Sequence, residues 1–199
     1  MAIKRVLVFL AEGFEDYEAV CAMSLCRWTE YRPHLPLIEV TTAGLHREVH
    51  GRFGASFAVD ELLDEVDPQA FDALVIPGGF HSHGFDEIYC EDVYDFIRCA
   101  HASGAVIATM CVGVLCVAEA GVLAQGRATT YALSKNHDNV AILRATGCEF
   151  EDAPVVCSGR VISCAGPEFS QEVVYRMVDM LIGEEGAREL ARYRKGLTG

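Results

Sequence analysis

The chain has 199 residues, of which 51% are apolar and 23% charged, and a formal net charge of −13 at neutral pH. These values suit one globular domain (1–199) with a substantial core and exclude a disordered chain, and so acidic a protein repels the phosphates of a nucleic acid. No apolar run reaches the ~20 residues of a membrane span, and nine cysteines without a C-x-x-C pair fit neither a disulfide framework nor a zinc ribbon.

Arg5–Leu10 (RVLVFL) is a short apolar run suited to a central parallel strand. No small-residue cleavage site follows it, so it reads as a strand of a cytoplasmic protein and not as a leader. Gly13 marks a turn, and the acidic residues after it open a helix over Asp16–Thr29, where their charge suits the helix dipole. Leu37–Thr42 is the next strand, Gly44–Ala58 an edge hairpin or an irregular excursion, and Val59–Val66 a short acidic helix stopped before Pro68. Phe71–Ile76 is a third strand ending in Pro77-Gly78-Gly79, where the glycines permit close backbone approach. Glu87–Ser103 has helical spacing, with Tyr89, Val93, Phe96, Ile97 and Ala100 on one face, and Gly104 caps it.

Ala105–Met110 is continuously apolar, as in a strand buried on both faces. Val112–Ala120 is small and apolar on every side except at Glu119, which reads as a buried helix capped by Gly121. Cys111 therefore stands where a strand turns directly into a helix, above the carboxyl edge of the sheet. The helix N-terminus there is expected to lower the thiol pKa and favour thiolate. Cys116 reads as packing inside the same helix. Downstream lie a strand at Arg127–Tyr131, a helix at Asn136–Thr146, and a hairpin formed by Val155–Val156 and Val161–Cys164 around Ser158-Gly159. A helix follows Gly166-Pro167, and Glu184–Lys195 can form a last one. Alternating strands and helices imply a doubly wound parallel sheet of at least five strands. No glycine-rich nucleotide fingerprint is present, and no cofactor is expected.

In order and spacing, the stretches KRVLVFLAEGFEDYEAV, VTTAG, FDALVIPGGF, GAVIATMCVGVL, GRATTY and ISCAGPEFSQEVVYRMVDMLIG resemble the ThiJ/PfpI superfamily, which includes parkinsonism-associated deglycase-like proteins. The resemblance implies a flavodoxin-like α/β sandwich, usually a homodimer, with Cys111 on a nucleophile elbow. It also implies that Glu18 touches the cysteine and that the N–H groups of Gly79 and Val112, with Gly78 beside them, form an anion or oxyanion pocket. A carboxyl close to a thiol is driven toward its protonated form and can donate to sulfur.

Three positions depart from the family pattern. Tyr131 stands where deglycase-like members carry histidine, Val112 where the protease-like branch carries one, and Ala165 where an arginine often precedes the final Gly-Pro. The absent histidines argue against protease, glyoxalase and deglycase chemistry as those branches perform it. His81 and His83, in the loop after Gly79, are the candidate replacements for base catalysis, and Tyr131 can donate a hydrogen bond but is a poor base. The two histidines alone do not make a metal site. His34, His46, His50, His101 and His137 read as surface or packing residues. Three functions remain open: an enzyme of hydrolase or lyase type acting on a small molecule through Cys111, a thiol redox sensor or stress-protection protein, and a chaperone-like binding module.

Overall fold

The computed structural model describes residues 3–196. In chain order the elements are β1 (Ile3–Leu10), α1 (Asp16–Arg27), β2 (Leu37–Gly44), β3 (Glu48–His50), β4 (Ser56–Ala58), β5 (Glu61–Leu62), β6 (Ala73–Ile76), α2 (Glu91–Ala102), β7 (Val106–Thr109), α3 (Gly113–Glu119), β8 (Arg127–Ala128), α4 (Asn139–Ala145), β9 (Glu149–Phe150), β10 (Val155–Ser158), β11 (Val161–Cys164) and α5 (Ser170–Arg194).

Seven strands form the central sheet in the order β10-β11-β7-β6-β1-β2-β5. Every pairing in it is parallel except β10 with β11, the hairpin expected around Ser158-Gly159. Alternation along β1 sorts the core into two layers. Leu7 and Phe9 face a cluster with Val93, Phe96 and Ile97 of α2, Leu115 of α3 and Leu143 of α4. Val6, Val8 and Leu10 face the other side, with Ala22 and Leu25 of α1 and Val174, Met177 and Val178 of α5. Helices thus cover both faces, as the continuous apolar runs of β6 and β7 require. The architecture is the flavodoxin-like α/β sandwich, and no helix among the described residues is long and apolar enough to cross a membrane.

Several boundaries differ from the sequence reading. Val59–Val66 is no helix: β5 joins the edge of β2, and one 3₁₀ turn (Leu63–Glu65) follows. The Thr42 N–H and hydroxyl both donate to Asp60 at 2.8 Å, and this long-range clamp holds the segment extended. Arg127–Tyr131 forms only the two-residue β8, because the Thr129 N–H donates to Ser163 Oγ (3.0 Å) and the Thr130 hydroxyl to the Cys111 carbonyl (3.1 Å). Extended Cys90 delays the start of α2 to Glu91, and the carboxylate of Asp138, accepting from the Ala141 N–H at 2.9 Å, starts α4 at Asn139. Within α5, Gly183 at φ 83° breaks the helix in two, as the separate sequence segments suggested.

Candidate active site

The ends of β7, β6 and β1 are neighbours at the carboxyl edge of the sheet, where open α/β sheets place their ligands. Each contributes one part of the site. Cys111 follows β7 after Met110 and has φ 52°, a left-handed conformation that a residue with a Cβ adopts only under constraint. The constraint is visible. The Cys111 N–H donates to the Cys164 carbonyl at 3.1 Å and the Gly113 N–H to the Met110 carbonyl at 2.8 Å, fixing a tight strand-to-helix turn. Gly113 makes the turn possible, since a Cβ there would stand 2.6 Å from the Ile76 oxygen and 2.8 Å from that of Pro77.

The Pro77-Gly78-Gly79 turn after β6 lies against this elbow. A Cβ on Gly78 would fall 2.7 Å from the Cys111 Cβ and 3.1 Å from Glu18 Oε2. Gly78 thereby brings thiol, carboxyl and backbone together. Gly79 forms an isolated antiparallel bridge with Phe14, flanked by bonds from the Glu15 N–H to the Gly78 carbonyl (2.8 Å) and from the Phe80 N–H to the Gly13 carbonyl (2.9 Å). In that pattern the N–H of Gly79 itself points away from the bridge. Among the described residues it has no backbone acceptor.

Helix α1, after β1, supplies two buried carboxyls. Glu15 caps the helix, accepting from the Glu18 N–H at 2.7 Å. Glu18 is fully buried; its Oε2 accepts from the Gly78 N–H at 2.6 Å, while Oε1 has no partner among the described residues. Burial pushes the Glu18 carboxyl up to about 8, so it holds a proton at neutral pH. Burial also raises Glu15. For Cys111 the sequence expectation is reversed. Burial first, then the charge of Glu18, drive the thiol upward, and the Val112 N–H donating to sulfur offsets only part of this. Protonating Glu18 removes its contribution, so carboxyl and thiol titrate as a pair that accommodates one negative charge. Cys116 is buried packing, its S–H directed to the Gly113 carbonyl at 3.1 Å.

Cys111 opens onto a cavity of about 450 Å³ whose lining includes Glu15, Gly79, Val112, Phe53, Phe80, His81, Tyr131, His137 and Asn139. The two candidate histidines part company here. His81 lines the cavity; its Nδ1–H donates to Asp86 Oδ1 at 2.5 Å and its ring stacks on Tyr89. Asp86 thereby fixes the tautomer with a lone pair on Nε2, an atom that is buried and unpartnered among the described residues. His83 lies outside the cavity lining, exposed, with Nδ1 bonded to Ser82 Oγ at 2.8 Å. A 3₁₀ turn over His81–His83 sends residues two apart in different directions. Tyr131 reaches the cavity wall, 37% exposed, with its ring edge close to Gly166.

The sequence reading missed four participants. Glu15 lay inside the acidic motif and is three residues from Glu18, a spacing that places both on one helix face. His137, read as surface or packing, lines the cavity with its ring centroid 4.3 Å from that of His81. Asp86 and Asn139 carried no local signal, because their roles come from loop closure. Among the described residues no group of three or more His, Cys, Asp or Glu side chains is placed to hold a metal.

Comparison with known proteins gives a consistent family. The DJ-1/PfpI family model matches residues 4–180. Protein DJ-1alpha of Drosophila melanogaster is 27% identical over 192 residues, covering 95% of this chain and 82% of that protein. A deglycase of Thermococcus kodakarensis is 32% identical over 166 residues, covering 82% of this chain and 90% of that protein. Among solved structures, Drosophila melanogaster DJ-1beta superposes with a TM-score of 0.79 at 26% identity, covering 96% of this chain and 97% of that one. Toxoplasma gondii DJ-1 in an oxidized form superposes with a TM-score of 0.81 at 20% identity, covering 98% and 100%.

Proposed function

The chain belongs to the DJ-1/PfpI family, and we propose that it is a cysteine-dependent enzyme of hydrolase or lyase type in which Cys111 attacks an electrophilic carbon of a small molecule. The observation that carries this reading is the Cys111 elbow, held at φ 52° and open to a cavity that Gly79 also lines. Relatives of the chain bear the name deglycase, which supports catalysis as a family property. On a carbonyl substrate, sulfur adds to carbon, the C=O π bond breaks, and the charge passes to oxygen. The Gly79 N–H is the donor available to that oxygen. The thiol proton leaves to a base, and His81 Nε2, oriented by Asp86, is the lone pair in the cavity suited to accept it. Neutral Glu18 then donates to sulfur without repelling the developing thiolate.

The test is turnover of a panel of small carbonyl compounds and their hemithioacetals by wild type, Cys111→Ser and His81→Gln. Loss of the nucleophile should cost at least ~10³-fold and loss of the base ~10²–10⁴-fold, with weak or no conversion of methylglyoxal because Tyr131 takes the family histidine's position and His81 stands elsewhere in the wall. A Cys111→Ser variant as fast as wild type would overturn the reading.

One observation favours a second reading as redox sensor. The buried carboxyl of Glu18, protonated at neutral pH, can donate to a sulfinate on Cys111. Peroxide titration followed by peptide mass analysis tests it: two oxygen atoms should accumulate on Cys111 before any other cysteine. In both readings the protein works as a homodimer, supported by the family resemblance and by the exposed Tyr17 and Val20 on α1.

A further inference from the structure

Asn139 stands at the start of α4 in the cavity wall, only 2% exposed. Its Nδ2 donates to the Tyr131 carbonyl at 2.8 Å. Because that carbonyl can only accept, the amide orientation is fixed and Oδ1 is the remaining atom. Oδ1 is buried and has no partner among the described residues, as is true of His81 Nε2 in the same wall. A buried acceptor without a donor is costly, and two in one cavity mark places where a bound molecule completes the hydrogen bonding. Among the described residues no lysine or arginine lines the cavity, Glu15 does, and Arg52 lies outside the lining against the rings of Phe53 and Phe80. Ala165 likewise supplies no charge beside the final Gly-Pro.

We propose that Asn139 Oδ1, beside the base His81 Nε2, is a subsite for a hydroxyl donor, and that the substrates are small hydroxy carbonyl compounds without negative charge. This rests on Cys111 being the nucleophile, and it adds the class of molecule presented to it. The carbonyl carbon meets sulfur while a hydroxyl of the same molecule donates to Asn139 Oδ1. A carboxylate or phosphate finds no cation in the wall. Asn139 is a specificity-determining residue, touching the substrate away from the reacting carbon.

Matched three-carbon aldehydes test this. Glyceraldehyde and propanal are compared for protection of Cys111 against iodoacetamide, each normalised to its hemithioacetal equilibrium with a free thiol, and glyoxylate serves as the anionic probe. Wild type should bind glyceraldehyde about 10-fold tighter than propanal, the size expected of one or two net hydrogen bonds, with glyoxylate weakest. Asn139→Leu should bring that ratio toward one, and a thermal unfolding scan shows whether the variant is folded. The same pair is measured on Cys111→Ala by ligand-detected NMR, where no covalent adduct forms. A preference for glyceraldehyde there, with no turnover difference between wild type and Cys111→Ala, would support the subsite while removing the nucleophile. Equal normalised binding of the two aldehydes to wild type, or a glyoxylate preference, would overturn the inference without touching Cys111.

Discussion

Cys111 and Glu18 are two acids buried against each other, so each sets the protonation of its neighbour. Burial raises both; the charge of Glu18 raises Cys111 further, and that of Glu15 raises Glu18. Glu18→Gln removes the carboxylate charge and keeps a neutral donor of the same shape. The pH profile of Cys111 alkylation should therefore move to lower pH in that variant, and an unchanged profile would show that the pair is uncoupled. Stability follows the same linkage. The folded pKa of Glu18, about 8, exceeds its ordinary value of 4.5, so the contribution is fully present below pH 4.5 and is lost as pH rises through 8. Melting scans should show the Gln variant gaining on wild type between pH 5 and pH 8 by several degrees, at roughly 2–4 °C per kcal/mol for a chain of this size. Cys111 was legible in the sequence because strand and helix patterns are local, whereas Glu18 was reached only through the family resemblance, its acidic stretch being otherwise explained by the helix dipole. The direction of the thiol shift was not legible. It depends on how completely Glu18 is buried, and a helix N-terminus contributing one N–H to sulfur is outweighed by that. His81 and His83 were indistinguishable for a similar reason, since Asp86 selects between them only once the loop has closed.

At the scale of elements, the strand ends are held in contact by glycines that leave no room for a methyl group. Gly113 packs against two carbonyl oxygens of the β6 end, which cannot move without moving the strand. Gly113→Ala should destabilise the protein by ~1–3 kcal/mol, as overpacking does, and should slow Cys111 chemistry by pushing the elbow away from Gly78. Denaturant midpoints and alkylation rates measured together test this, and a variant normal in both would mean that the elbow is not held by this contact. The buried strands β1, β6 and β7 could be read from their apolar runs, since burial on both faces requires such runs. The edges could not. Thr42 and Asp60 lie eighteen residues apart, and Thr129 and Thr130 direct their hydrogen bonds to Ser163 and Cys111 instead of extending a ladder. No window of local sequence contains both partners.

The whole molecule carries a net charge of −13, and among the described residues no lysine or arginine stands in the cavity wall. Both features disfavour anionic ligands. Light scattering at micromolar concentration should give twice the monomer mass of 21.7 kDa, and a monomer mass would refute the homodimer. The most direct test of the central claim, that Cys111 is the nucleophile for a carbonyl compound bound in this cavity, is covalent capture by chloroacetone. Its carbonyl resembles a substrate's, and attack by sulfur on the chlorinated carbon forms a C–S bond and expels chloride. The expected result is saturable inactivation, with the first equivalent of label on Cys111. Label appearing first on exposed Cys99, with a rate linear in chloroacetone and turnover intact, would contradict it.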